Sequence, residues 1–468
     1  MYVKRNSPLF AGLLLLLIFL VACVPSGAGI DTPAPPLATE TEVSTIPPPV
    51  ETTQAPLASP SPTEEETPAV EPTQELTEAP LSVDVAIQVA YIKDGNVWLW
   101  DPLSGARQLT SAGQATAVRL SDDWQVAAFT RQVDDFRSEL WAVNADGSDE
   151  RALISADQLD ELEVQDRQPT TRGIVPYRFD WMPGTHTVAF NTQQSHEGPS
   201  QLLSDDLRLV DADFDFDSLE QITLLPSGEG GDFYFSPDGR LLAVTTPDSI
   251  DLMNVAGSDR RRVLEFEPVT TYSEYLYYAR PVWSPDSSYL LVAIPPADPL
   301  AEPAQPTTLW ESPAAGGEAR QLSQLEGSTF FGPEAAFSPD LSRVLYTERV
   351  GEPAENMREL HIAQVDGTQD QVYLTAPLME AAGWAGDSDH FLFRFGQDRE
   401  VRYAEVGGSD RPLIAGAQLV DVRFVDPQHF LYIAASGDNF ELGLGNVDGA
   451  THLIDTITGL PPDFDFNK

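Results

Sequence analysis

The chain has a single cysteine, Cys23, in 468 residues. One thiol excludes any intramolecular disulfide, so the fold must rest on packing alone. Basic residues are scarce as well: 27 Lys and Arg stand against 73 Asp and Glu, a formal charge of −46. Such a chain repels phosphate backbones and anionic headgroups, which counts against nucleic acid as a partner. The acidity is read first as a solubility device. The sequence also lacks a GxSxG elbow, an HExxH pair, a CxxC motif and a phosphate-binding loop. Its six histidines, at 186, 196, 361, 390, 429 and 452, form no metal-ligand pair at short spacing. No catalytic residue, metal or cofactor is therefore expected, and carboxylates are too plentiful for any pair of them to stand out.

Long apolar runs are absent too. The longest, Leu9–Ala22, falls short of the ~20 residues a spanning helix needs. It follows Lys4 and Arg5, the order of an export signal. Leu20-Val21-Ala22-Cys23 resembles a bacterial lipobox. That resemblance implies a signal peptide over residues 1–22 and a lipidated Cys23 as the mature N-terminus. The acyl chains then provide a membrane anchor without a spanning helix. Residues 24–83 hold 13 Pro and ten acids, and no base lies between Arg5 and Lys93. Low hydrophobicity, high Pro and one-signed charge predict a disordered linker over 23–83. As a coil it reaches ~45 Å. Both readings of the leader place the remaining chain, 84–468, outside the cytoplasm.

That remainder is organised around one phrase. It reads FSPDGRLLAV from Phe235, WSPDSSYLLV from Trp283 and FSPDLSRVLY from Phe337. Weaker copies begin at Leu120, Trp181, Trp384 and Phe424, and a truncated one at Phe466. Their spacings are 61, 54, 48, 54, 47, 40 and 42 residues. After each phrase comes a second apolar run, then a turn such as NADGSD (from Asn144) or QVDGTQD (from Gln364). Gly and Asn accept positive φ at little cost, and Asp bonds nearby amides. Each unit thus reads as four short strands, and an array with this period predicts an all-β propeller. Ala86–Thr110 matches only strands two to four of a unit, while Pro462–Phe466 reads as a lone first strand. The two ends are therefore expected to share one blade, which gives eight blades, with seven as the alternative.

The aromatic-Ser-Pro-Asp phrase and the later Asp-Gly turn resemble the TolB-like, or WD40-like (PD40), propeller repeats of bacterial envelope proteins. The resemblance covers roughly residues 85–468. It implies the fold strongly and function weakly, since propellers host many activities. It suggests envelope protein partners, although a Pro/Thr tether stands where TolB carries an α/β domain.

The lead aromatics are read as core. Candidate binding residues come from the positions three before them: Arg178, Asp232, Arg280, Glu334, Asp421 and Asp463. If these open the inner strands, they rim the mouth of a central channel beside Tyr177, Tyr272, Tyr275 and Phe331. Long crossings at Gln158–Arg178 and Glu267–Arg280 would lie on that face. The simpler reading of these residues is strand-end solvation and loop packing. The Asp211–Asp217 run, DADFDFD, has Phe216 where a calcium loop needs Gly, and reads as an acidic turn. The functional expectation is a non-catalytic binding or scaffold module for an envelope protein, peptide or glycan. The alternative is an extracytoplasmic hydrolase or lyase with a carboxylate site in the channel.

Overall fold

The computed structural model describes residues 85–198, 203–214, 218–326, 336–351 and 356–467. The leader, Cys23, the linker and Glu334 with Phe331 lie outside the described residues. Among those described, no helix is long and apolar enough to cross a membrane.

The strands form eight sheets of four, each antiparallel, set around a ring. Blade 2 is Ala115–Leu120, Val126–Gln132, Ser138–Asn144 and Arg151–Ile154. Blade 3 is Thr171–Trp181, Thr187–His196, Leu207–Asp211 and Thr223–Leu225. Blade 4 is Asp232–Phe235, Leu241–Thr246, Ser249–Asn254 and Arg261–Glu265. Blade 5 is Val282–Trp283, Tyr289–Ile294, Thr307–Pro313 and Arg320–Leu325. Blade 6 is Ala336–Phe337, Arg343–Val350, Met357–Gln364 and Gln371–Pro377. Blade 7 is Glu380–Trp384, His390–Phe395, Glu400–Glu405 and Asp410–Pro412. Blade 8 is Gln418–Phe424, His429–Ser436, Asn439–Asn446 and Thr451–Thr458. Blade 1 joins Gln88–Lys93, Asn96–Asp101 and Gly105–Gln108 to the C-terminal strand Phe464–Asn467. The register pairs Val89 with Phe466 and Tyr91 with Phe464. The composite blade expected from the sequence is thus the closure of the ring, and the count is eight.

The repeated phrase folds one way each time. In blade 4 the Ser236 hydroxyl donates to Asp238 at 2.7 Å and accepts from the Leu241 amide at 2.9 Å. Ser284 with Asp286, and Ser338 with Asp340, repeat this at 2.7 and 2.6 Å. The turn residue after the Asp takes positive φ in each, Gly239 at +68°, Ser287 at +62° and Leu341 at +58°. Only glycine does so without strain, so the fixed Ser-Asp frame must hold the other two there.

The lead residues divide into two groups. Leu120, Trp181, Trp283 and Phe466 are buried, whereas Phe235, Phe337, Trp384 and Phe424 are partly exposed. All three Trp leads donate their indole N–H to the preceding blade: Trp181 to Arg119 O (3.0 Å), Trp283 to Tyr234 O (3.0 Å), Trp384 to Ala336 O (2.7 Å). A second set of links points the other way. Outer-strand arginines reach the carbonyl just past the third strand of the next blade: Arg107 to Ala145 (3.0 Å), Arg151 to Ala212 (2.6 Å), Arg261 to Ala314 and Arg411 to Val447.

One expectation needs revision. Gln158–Arg178 is only partly a loop. Ser155 caps a short helix, Ala156–Asp160, through a capping box with Gln158. Thr171–Trp181 is then a long first strand whose register shifts between Pro176 and Phe179. The Pro falls where the ladder is broken, because it has no N–H to donate. Glu267–Arg280 is a crossing without strands, as its composition suggests.

Candidate functional site

Between blades 3 and 4 no indole seals the seam. Arg178, in the long first strand of blade 3, faces Asp232 at the start of blade 4, with Nη1 3.6 Å from Oδ2. Asn191 ties the two together. Its Oδ1 accepts from the Arg178 amide at 2.9 Å, and its Nδ2 donates to Asp232 at 3.2 Å. The guanidinium lies 4.2 Å from the Tyr234 ring centroid and 5.0 Å from that of Phe233, within cation–π range. The Arg178 and Asp232 side chains are only 14% and 16% exposed, so this pair is set into the wall and not held out on a rim.

Arg280 belongs to the same neighbourhood, since its charge acts on both Tyr177 and Tyr234. Burial pushes the Tyr234 phenol up to about 12, with Asp232 adding to it and the two arginines opposing. Burial also raises Tyr177 and Tyr278. The Tyr278 hydroxyl accepts from the Ser204 amide at 3.1 Å, and Ser204 Oγ accepts from Gln193 at 3.2 Å. Gln193 in turn lines a cleft of about 270 Å³ with Val175, Gln194, His196 and Glu274. Glu274, from the Glu267–Arg280 crossing, completes the lining; that crossing carries the exposed Tyr272 and Tyr275, while the exposed Tyr177 lies in the first strand of blade 3. Tyr177, Tyr272 and Tyr275 are 47%, 59% and 42% exposed. Tyr272 donates to Asp298 at 2.6 Å and holds φ at +54°, a conformation an aromatic residue rarely adopts.

The structure thus groups Arg178, Asp232 and Arg280 electrostatically, and puts Tyr275 beside the cleft residue Glu274. Asp421 stands apart, in blade 8, paired with Arg423 at 2.9 Å. Asp463 serves closure: it accepts from the Val118 amide at 2.8 Å and from Arg119 at 2.9 Å. Asp211 likewise caps its own turn by accepting from the Asp213 amide at 2.9 Å. Asn191, Tyr234 and the Gln193–His196 edge escape the sequence reading. They lie on second strands or next to a lead residue, where alternation alone marks them as ordinary strand positions.

Carboxylates held above their usual range near this site are Asp205 and Asp206, both pushed up by burial. Asp206 is wholly buried, 2.9 Å from Arg208, and accepts from Thr192 N–H and Oγ1 at 2.7 and 2.8 Å. Those three partners leave it no room to act on a substrate.

No protein-family model and no curated protein sequence matches the chain. Solved structures do resemble it. A putative TolB from Agrobacterium tumefaciens aligns at 13% identity over 51% of this chain and 84% of its own, with a TM-score of 0.32. A eukaryotic initiation factor gives 10% identity, 80% and 85% coverage and a TM-score of 0.49. The propeller domain of the Trilobed protease from Pyrococcus furiosus gives 12%, 79% and 92%, with a TM-score of 0.42. At these values the likeness adds nothing about activity. The class of the molecule, an eight-bladed β-propeller, rests on its own strand order.

Proposed function

We propose that this chain is a lipid-anchored, extracytoplasmic propeller that binds a protein, peptide or glycan of the bacterial cell envelope without turning it over. The observation that carries this reading is the cleft between blade 3 and Glu274 of the Glu267–Arg280 crossing, with the exposed Tyr275 next to Glu274 in the chain. Tyrosine offers apolar area with a polar tip at low entropic cost, a composition favoured at recognition surfaces. Gln193 adds a side-chain amide to the lining, a group whose oxygen can accept from peptide N–H groups or sugar hydroxyls. The anchor rests on Cys23 and its lipobox alone. A hydrolase or lyase is the second reading, favoured by the raised carboxyl of Asp205, which stands without a second available carboxylate beside it.

The test is capture from envelope extract by the wild-type chain and by Tyr275→Ala/Arg280→Ala. The reading expects at least a tenfold loss of capture at unchanged melting temperature, and labelled palmitate in the wild type but not in Cys23→Ser. Lowered stability with capture retained would sink the binding face.

A further inference from the structure

The seam between blades 5 and 6 holds a second polar cluster, unconnected with the cleft. Antiparallel register sets Glu348 directly across from Glu359, and Tyr346 across from His361. Residues two apart on a strand share a face, so all four side chains share one face. That face meets blade 5, because Tyr346 packs with Leu309 and Leu325. Like charges opposed on neighbouring strands repel, and an acidic chain has no need to place two glutamates so.

His361 gives the arrangement a direction. It is 7% exposed and stacked on Tyr346 with ring centroids 4.8 Å apart. Its Nδ1 lies 3.0 Å from Asp370 Oδ1, and the other oxygen of Asp370 accepts from the Tyr346 hydroxyl at 2.8 Å. A carboxylate only accepts, so the imidazole proton sits on Nδ1 and the Nε2 lone pair points the other way. Nε2 is buried and has no hydrogen-bond partner among the described residues. An oxygen of Glu348 and an oxygen of Glu359 each stand 3.6 Å from it. That is too long for a hydrogen bond. It is the separation that two bonds of about 2.1 Å subtend at roughly 120° around one ion. The ligand atoms of all three residues lie within 4.8 Å of one another.

We propose that Glu348, Glu359 and His361 form a binding site for one divalent metal ion of the zinc type. One imidazole and two carboxylates suit that borderline class better than calcium or magnesium, which take oxygen alone. Asp370 is the outer carboxylate that fixes the imidazole tautomer, and Thr375, 3.2 Å from Glu359 Oε1, steadies a second ligand. The glutamates are 32% and 28% exposed, which leaves the open side of the ion to water. Sequence scanning misses it because the ligands sit as Glu-x-His on one strand, with the third supplied by register.

Co²⁺ is the probe, added to the full-length chain and followed by its visible ligand-field bands, with Zn²⁺ as competitor. The wild type is expected to bind one Co²⁺ with intense bands that Zn²⁺ abolishes. His361→Gln and Glu348→Gln/Glu359→Gln should each weaken binding more than tenfold, and Asp370→Asn about tenfold. Asp211→Asn/Asp213→Asn, in an unrelated acidic turn, should bind like the wild type. The double Gln variant removes repulsion and should fold, so it decides the matter if His361→Gln does not. A wild type without such bands, or bands kept in the double Gln variant, overturns the proposal.

Discussion

Two kinds of seam alternate from blade 1 to blade 7. Seams 2/3, 4/5 and 6/7 are each closed by a tryptophan whose indole bonds the neighbouring backbone. Seams 3/4 and 5/6 have no lead tryptophan and hold charged side chains: Arg178 with Asp232, and His361 with Glu348 and Glu359. Seam 1/2, where the chain ends meet, is polar too. Asp463 and Asp465 accept from the Val118 and Leu120 amides at 2.8 and 2.9 Å. An indole satisfies one carbonyl and excludes water, so it does one job well. A charged seam is less favourable to bury and keeps unspent hydrogen-bonding capacity. Both candidate sites of this molecule fall at seams of the second kind.

The sharpest way to break the contrast is Trp283→Ala, expected to cost about 3–5 kcal/mol because it removes a nearly full core side chain and a seam hydrogen bond together. Denaturant unfolding measures this. An unchanged midpoint would deny the indole its role. The closure seam should respond less. Asp465→Ala removes the carboxylate that accepts from the buried Leu120 amide, for about 1–3 kcal/mol. It should also raise proteolysis at the C-terminal strand, and equal protection in mutant and wild type would argue against closure by that contact. The smallest effect concerns His186, which bridges Asp213 at 2.7 Å and Asp123 at 3.1 Å across seam 2/3. Burial opposes its charge, but these two carboxylates outweigh burial and raise its pKa. A raised imidazole stabilises below its unfolded value, and the gain is lost as pH rises through the folded one. His186→Gln should therefore destabilise at pH 5 by no more than about 1 kcal/mol and have no effect at pH 9. A larger loss at pH 9 would reverse the sign and refute the bridge.

The blades were legible because their turns are chemically demanding. Ser-Pro-Asp-Gly has few other conformations, and the lone strand at Phe464–Asn467 follows from a unit lacking its first strand. The sites were less legible, because seam chemistry is made by register and by neighbours far apart in sequence. Arg178 and Asp232 could be picked out by their place before the lead aromatics, yet Asn191, which links them, sits on a second strand with no local signal. Glu348 and Glu359 look like ordinary surface acids until pairing sets them opposite each other. The half-exposed leads Phe235 and Phe337 show the same limit, since burial depends on what the next blade presents.

Four outer arginines, Arg107, Arg151, Arg261 and Arg411, reach forward, from one blade to the carbonyl after the third strand of the next. Each repeat that carries one brings a plug on one flank, and the carbonyl it fits is main chain, which any repeat brings as a socket on the other. A duplicated repeat would couple to its neighbours without any new side chain having to evolve. Rings of this kind can grow or shrink by whole units, and only the unit that shares the two chain ends must be preserved.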